Sequence, residues 1–262
     1  MSKDRQHWVM DYETLSNCFI AVFESVKSNH TEVFVIHDLQ NEIDELLELL
    51  ERNIAYDEWH VSFNGLGFDS QITEYILRNS DQLREMGGCD IAKWLYDKAQ
   101  TIIHCQDEGK FLEFSLKDLQ INQVDVFKLN HWDNPAKRSS LKWIQYTMDW
   151  ENIVDMPIHH ATEIKTLDQI EEVIKYCKND VSSTKKIMML SKKQIELRKN
   201  LTDEYNINLF SASEPRISKE LFLHFLSQKT GIKKFDLKNL RTRRESIIVK
   251  DIILDNISFQ TA

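Results

Sequence analysis

The chain has no C-x-x-C pair, no long apolar run and no excess of basic residues, and each absence excludes something. Its four cysteines, Cys18, Cys89, Cys105 and Cys177, are scattered. Such spacing holds neither a zinc ion nor a disulfide framework, and reads as reduced thiols in a cytosol-like compartment. The amino-terminal "MSKDRQHW" lacks the apolar core of a signal peptide, and no stretch is apolar for long enough to span a bilayer. The expectation is an intracellular protein with no membrane partner. A net charge of −9 argues against a general coater of duplex nucleic acid, whose affinity comes mainly from phosphate neutralisation. It leaves room for nucleic acid held at a local site where metal ions supply the positive charge. There is no Ser-His-Asp pattern with a nucleophile elbow. Gly65 and Gly67 are wrongly placed for a nucleotide-binding fingerprint. His159 and His160 have no further ligand at zinc-binding spacing.

What is present suits a soluble α/β protein. The 262 residues are 42% apolar and 29% charged, ordinary values that allow one large domain with a smaller appendage. Residues 6–13 and 18–24 read as a strand hairpin, and 32–38 as a third strand. Ile43, Leu46, Leu47 and Leu50 recur at helical spacing. Residues 58–64 alternate like a strand, 81–120 are mostly helical, and "INQVDVFKL" at 121–129 reads as another strand. Ser140 caps a helix beginning "LKWIQYTM", and Thr166 caps a long helix from 167 to 204 that breaks near its middle. A hairpin-led mixed sheet with helices on both faces follows, as a three-layer fold. Pro215, after "FSASE", marks a boundary. The expected organisation is a main domain over 1–205 and a small helical extension or linker over 206–262. The latter holds the basic stretch Lys233, Lys234, Lys238, Arg241, Arg243 and Arg244, which reads as a solvated helix face, a track for a phosphate backbone or a face for a polymerase partner.

The stretch "VMDYETLSN" puts Asp11 and Glu13 two apart on an apolar strand. Side chains alternate along a strand, so both carboxylates face the same way and repel. Asp69 opens a helix after the turn "NGLG", where capping alone accounts for an aspartate. Tyr176 and Asp180 are four apart on a helix and share a face, which a surface pair also explains. Jointly, four carboxylates from three separated segments form a donor set suited to two divalent cations with oxygen ligands.

The ordered motifs "DYET", "FNGLGFD" and "YCKND" resemble the DEDD 3′–5′ exonucleases of the tyrosine subclass. "NGLGFD" is most similar to the proofreading domain of family B DNA polymerases, viral ones included. "VDVFKLNHWDNPAKRSSLKWIQYTM" resembles that group too. The similarity covers about residues 5–190. It implies an RNase H-like fold and makes Asp11, Glu13, Asp69 and Asp180 the metal-binding set, for two Mg²⁺ ions with Mn²⁺ able to substitute. It gives Tyr176 the orientation of the attacking water. Thr14, Asn64 and Phe68 match positions at the 3′-terminal nucleotide, and Lys142 matches the lysine of a Ser-Leu-Lys motif that contacts substrate.

The activity so implied is hydrolysis of the last phosphodiester of a single-stranded or frayed DNA 3′ end, in proofreading or replication. The setting would be the cytoplasm of a bacterial or virus-infected cell. No polymerase catalytic motif occurs before Ala262, so the expectation is a stand-alone exonuclease, a separately encoded subunit, or the amino-terminal piece of a polymerase. Two alternatives stand beside it: a DEDD ribonuclease trimming RNA 3′ ends, and a non-catalytic docking module of a replication complex.

Overall fold

A computed structural model describes residues 6–134, 136, 139–240 and 245–248. Three strands come first: β1 (Trp8–Thr14), β2 (Phe19–Ser25) and β3 (Thr31–His37), with a two-residue β4 (Gln40–Asn41). Then follow α1 (Ile43–Ala55), β5 (His60–Ser62), α2 (Asp69–Arg78), α3 (Ser80–Arg84), α4 (Gly88–Asp107) and β6 (Gln123–Asp125). The chain continues with α5 (Val126–Leu129), α6 (Leu141–Thr147), α7 (Leu167–Leu190) and α8 (Lys192–Tyr205), and then α9 (Glu214–Thr230) and α10 (Lys234–Asn239). Among the described residues no helix is long and apolar enough to cross a membrane.

The six strands form one mixed sheet in the order β4-β3-β2-β1-β5-β6. β1, β2, β3 and β4 pair antiparallel, whereas β5 and β6 run parallel to β1. β1 is therefore central, and its alternation sorts the core. Trp8, Met10 and Tyr12 pack with α1, α2 and α4 on one face, through residues such as Leu46, Ile72 and Leu95. Val9 points to the other face, where Val173, Cys177 and Val181 of α7 meet Val22, Val61 and Val124 of the sheet. Each such aliphatic side chain contributes about 1.5–3 kcal/mol on full burial. Asp11 and Glu13 share the parity of Val9, so the α7 face is the one they address.

α7 is fixed on the sheet by more than apolar contact. Thr166 and Gln169 close a capping box at its start. Further along, Lys185 Nζ donates to Glu24 Oε1 of β2 at 2.7 Å, and Ser182 Oγ donates to the other Glu24 oxygen at 2.8 Å. Losing one partner of such a buried ion pair costs about 3–5 kcal/mol, because the other charge is left without compensation.

Several expectations need correction. The strand expected over 121–129 stops at Asp125, because that carboxylate caps α5 by accepting from the N–H of Phe127 and Lys128. The break expected within the 167–204 helix is present, at Ser191, with α7 and α8 on either side. Thr166 and Ser140 do cap α7 and α6. The chain forms two compact units, Met1–Glu214 and Pro215–Ala262, so the first reaches past residue 205. Residues 206–214 are held there by Ser211, whose hydroxyl accepts from Asp125 N and donates to Gln123 O, and by Phe210, whose ring meets Trp59 at 4.4 Å. Buried Arg198 donates to the carbonyls of Ala212 and Leu129. In the second unit Pro215 sits in the first turn of α9, where its missing N–H leaves no bond unmade. Lys238 pairs with Glu220 at 3.6 Å. Arg241, Arg243 and Arg244 lie outside the described residues.

Candidate active site

The carboxylates converge because three elements end at one place. β1 delivers Asp11 and Glu13, the turn after β5 delivers Asp69, and α7 delivers Tyr176 and Asp180. All five line a single open cleft of about 560 Å³, together with Phe63, Asn64, Phe68, Phe127 and Leu141. Asp180 is 5% exposed and Asp69 3%, while Asp11 and Glu13 are half-buried. Tyr176 and Asp180 are thus not a surface pair, and the tyrosine hydroxyl hydrogen-bonds the Asp180 carboxylate.

Asp69 is placed by a tight turn. Asn64 takes a left-handed conformation, φ +62°, and Gly65 lies so close to β5 that a Cβ there would fall 1.9 Å from Ser62 Oγ. Only glycine tolerates that approach. The helix α2 then begins with Phe68 at its N-cap and no side-chain capping bond. Capping therefore does not account for Asp69, whose Oδ1 is buried and has no hydrogen-bond partner.

The electrostatics follow from burial and crowding. Burial first, and then Asp69, Glu13 and Asp180, push Asp11 well above the usual carboxylate range. Burial with Asp180 and Asp69 pushes Glu13 up to about 8. Burial, reinforced by Asp125, pushes Asp69 up to about 7. Asp180 is raised by burial, against the hydrogen bonds from Gln145 and Tyr176. Among the described residues the cleft lining includes no lysine or arginine. Lys142 engages Asp155 and lies 5.7 Å from the Tyr176 ring centre, where it partly offsets the charge of Glu13 and Asp180.

These observations make the donor set fit a divalent cation: crowded hard oxygens, one of them buried and orphaned, with no lysine or arginine among the described residues of the lining. Cys177 completes a possible ligand group with Asp11 and Glu13, their donor atoms lying within 4.8 Å of one another. Its thiol is held protonated by burial and the surrounding carboxylates. It sits 3.6 Å from the Asp11 carbonyl and 3.9 Å from Asp11 Oδ2, so it serves as a weak donor that steadies β1.

The raised values fix the sign of the pH dependence. These carboxyls bind protons more tightly in the folded chain than in the unfolded one. Their contribution to stability is fully present below about pH 4 and is lost as pH rises through about 7–8. Without divalent cations, the melting temperature should fall between about pH 5 and pH 8. Added Mg²⁺ should restore more at pH 8 than at pH 5. A Mg²⁺ gain that is equal at both pH values, or larger at pH 5, would contradict the cation site.

The residues expected from sequence do not all behave alike. Asn64 and Phe68 line the cleft beside the carboxylates. Thr14 ends β1 on the opposite parity to Glu13 and is not part of the lining. Lys142 lies beside the site rather than in its wall. Two residues were missed. Gln145, fully buried on α6, donates to Asp180 Oδ1 at 2.9 Å and to Ser183 Oγ at 2.8 Å, which fixes the Asp180 carboxylate. Asp125, also fully buried, accepts from the N–H of Asn64 at 3.0 Å and of Leu66 at 3.1 Å. It thereby pins the turn that carries Asp69 to the end of β6.

Comparison with protein-family models, curated proteins and solved structures finds no significant match to this chain. The functional reading rests on the cleft itself and on the ordered motifs that supply it.

Proposed function

We propose that this chain is a metal-dependent 3′–5′ exonuclease with an RNase H-like fold, acting on single-stranded or frayed DNA ends in proofreading or replication. One observation carries the reading: Asp11, Glu13, Asp69, Tyr176 and Asp180, drawn from β1, α2 and α7, line one open cleft. The hairpin-led mixed sheet with helices on both faces supports the same assignment.

Asp11, Glu13 and Asp180 would hold one Mg²⁺, and Asp11 with Asp69 a second. Bound there, the cations would lower the pKa of a water and neutralise charge on the phosphoryl oxygens. The remaining work belongs to the chain. Glu13 and the Tyr176 hydroxyl flank the space for the attacking water and set its line of approach. Gln145 and Tyr176 keep the Asp180 carboxylate from turning. Phe63, Phe68 and Phe127 form an apolar wall suited to a terminal base. The water oxygen bonds to phosphorus, the bond from phosphorus to the 3′ oxygen breaks, and that oxygen takes up a proton. A nucleoside 5′-monophosphate leaves.

Matched end-labelled DNA and RNA oligonucleotides of one sequence test the reading. The expected result is stepwise shortening of the DNA from its 3′ end in Mg²⁺ or Mn²⁺ and none in EDTA. Cleavage of the RNA alone would instead make the chain an RNA-trimming enzyme of the same chemistry. Cleavage of neither would leave a docking module.

A further inference from the structure

The short helix α6 has two faces of opposite character. Its inner face carries Leu141, Ile144 and Gln145, packed into the core beside α7. Its outer face carries Trp143 and Tyr146, 58% and 66% exposed. Their ring centres lie 5.8 Å apart and their planes 27° from parallel. Three residues apart on a helix, the two side chains stand next to each other. Single exposed apolar residues are common, but tryptophan is highly buried on average. A stacked tryptophan–tyrosine pair left in water calls for a ligand.

The position of the pair says which ligand. The start of α6 belongs to the cleft: Ser139, Ser140 and Leu141 line it, and Lys142 lies over the ring of Tyr176. The backbone N–H of Trp143 donates to the Ser140 hydroxyl at 3.1 Å, so the pair stands within one turn of the cleft wall. A strand whose 3′ end occupies the cleft has its preceding nucleotides close by.

We propose that Trp143 and Tyr146 form a stacking platform for the unpaired bases next to the 3′ terminus. The proposal rests on the nuclease reading above and adds to it where the incoming strand lies. Every base has a π-face, so the platform tolerates any sequence. Rigid aromatic side chains also lose little conformational freedom on binding. Lys137, Arg138 and Lys142 precede the pair in the sequence, and Asp149, Glu151 and Asp155 follow it. The two rings themselves carry no charge, so the affinity they contribute comes from stacking rather than from phosphate contacts, and its loss is insensitive to salt.

The test is binding without catalysis. A fluorescently labelled twelve-nucleotide oligothymidylate is titrated with the full chain in EDTA, and anisotropy is read at low and at moderate salt. The Trp143→Ala, Tyr146→Ala protein is expected to bind about tenfold more weakly or worse, by a similar factor at both salt concentrations. The Trp143→Phe, Tyr146→Phe protein should recover most of the affinity, because phenylalanine still stacks. Matching circular dichroism and melting curves show that all three proteins are folded. An alanine pair within twofold of the parent overturns the platform, as does a parent that does not bind the oligonucleotide. A parent that binds through the pair but does not shorten DNA in Mg²⁺ leaves the platform standing and removes the nuclease reading alone.

Discussion

Replacing Asp11 and Glu13 together by alanine is expected to reduce Mg²⁺-dependent shortening of DNA 3′ ends by at least about a thousandfold. Both carboxylates face α7 from the central strand, and both belong to the crowded group that raises the proton affinity of its members. With them go the oxygens common to both expected cations. The same change should raise the melting temperature of the metal-free protein at pH 8, because it removes two half-buried carboxyls that on folding must either take up protons or repel Asp69 and Asp180. Loss of activity through misfolding would lower it. The two readings together therefore separate a functional defect from a structural one. A double variant that shortens DNA at the parent's rate would place the chemistry elsewhere.

The second large effect lies away from the cleft wall. Asp125 is fully buried, and its two oxygens accept from four backbone N–H groups: Asn64 and Leu66 of the glycine turn, and Phe127 and Lys128 of α5. Alanine there leaves those donors without a partner, two of them in buried surroundings. The expected loss is about 3–5 kcal/mol of stability, read from urea denaturation. Activity should fall further than stability explains, because the turn that places Asp69 is released. Asp125→Asn keeps the shape and one acceptor, and should fall between the two. An Asp125→Ala protein as stable as the parent would show that the turn holds itself.

Asp11, Glu13 and Asp125 show what the sequence made legible. Asp11 and Glu13 could be read because a strand's period of two is local, and the surrounding apolar residues announce a buried strand. The order of the three acidic motifs along the chain supplied the rest of the carboxylates. Asp125 was not legible. In "VDVF" it reads as one polar residue in a strand, and its role depends on a turn some sixty residues earlier. Gln145 was hidden for the same reason. On an amphipathic helix it looks like any surface glutamine until α7 is docked against it, 35 positions later. Thr14 stands apart: its place in a motif suggests contact with the terminal nucleotide, while strand parity turns it from the face of Glu13. The end of β6 was misplaced because Val126 and Phe127 continue the strand-like run past Asp125 and conceal a cap that only the folded turn explains.

The central claim is that four carboxylates from distant segments hold a pair of divalent cations. Calorimetric titration of the metal-free parent with Mn²⁺, beside the Asp11→Ala, Glu13→Ala protein, tests it most directly. The account predicts two Mn²⁺ ions bound per chain in the parent and loss of both in the double variant. Equal binding by the two proteins, or no binding by the parent, would contradict it.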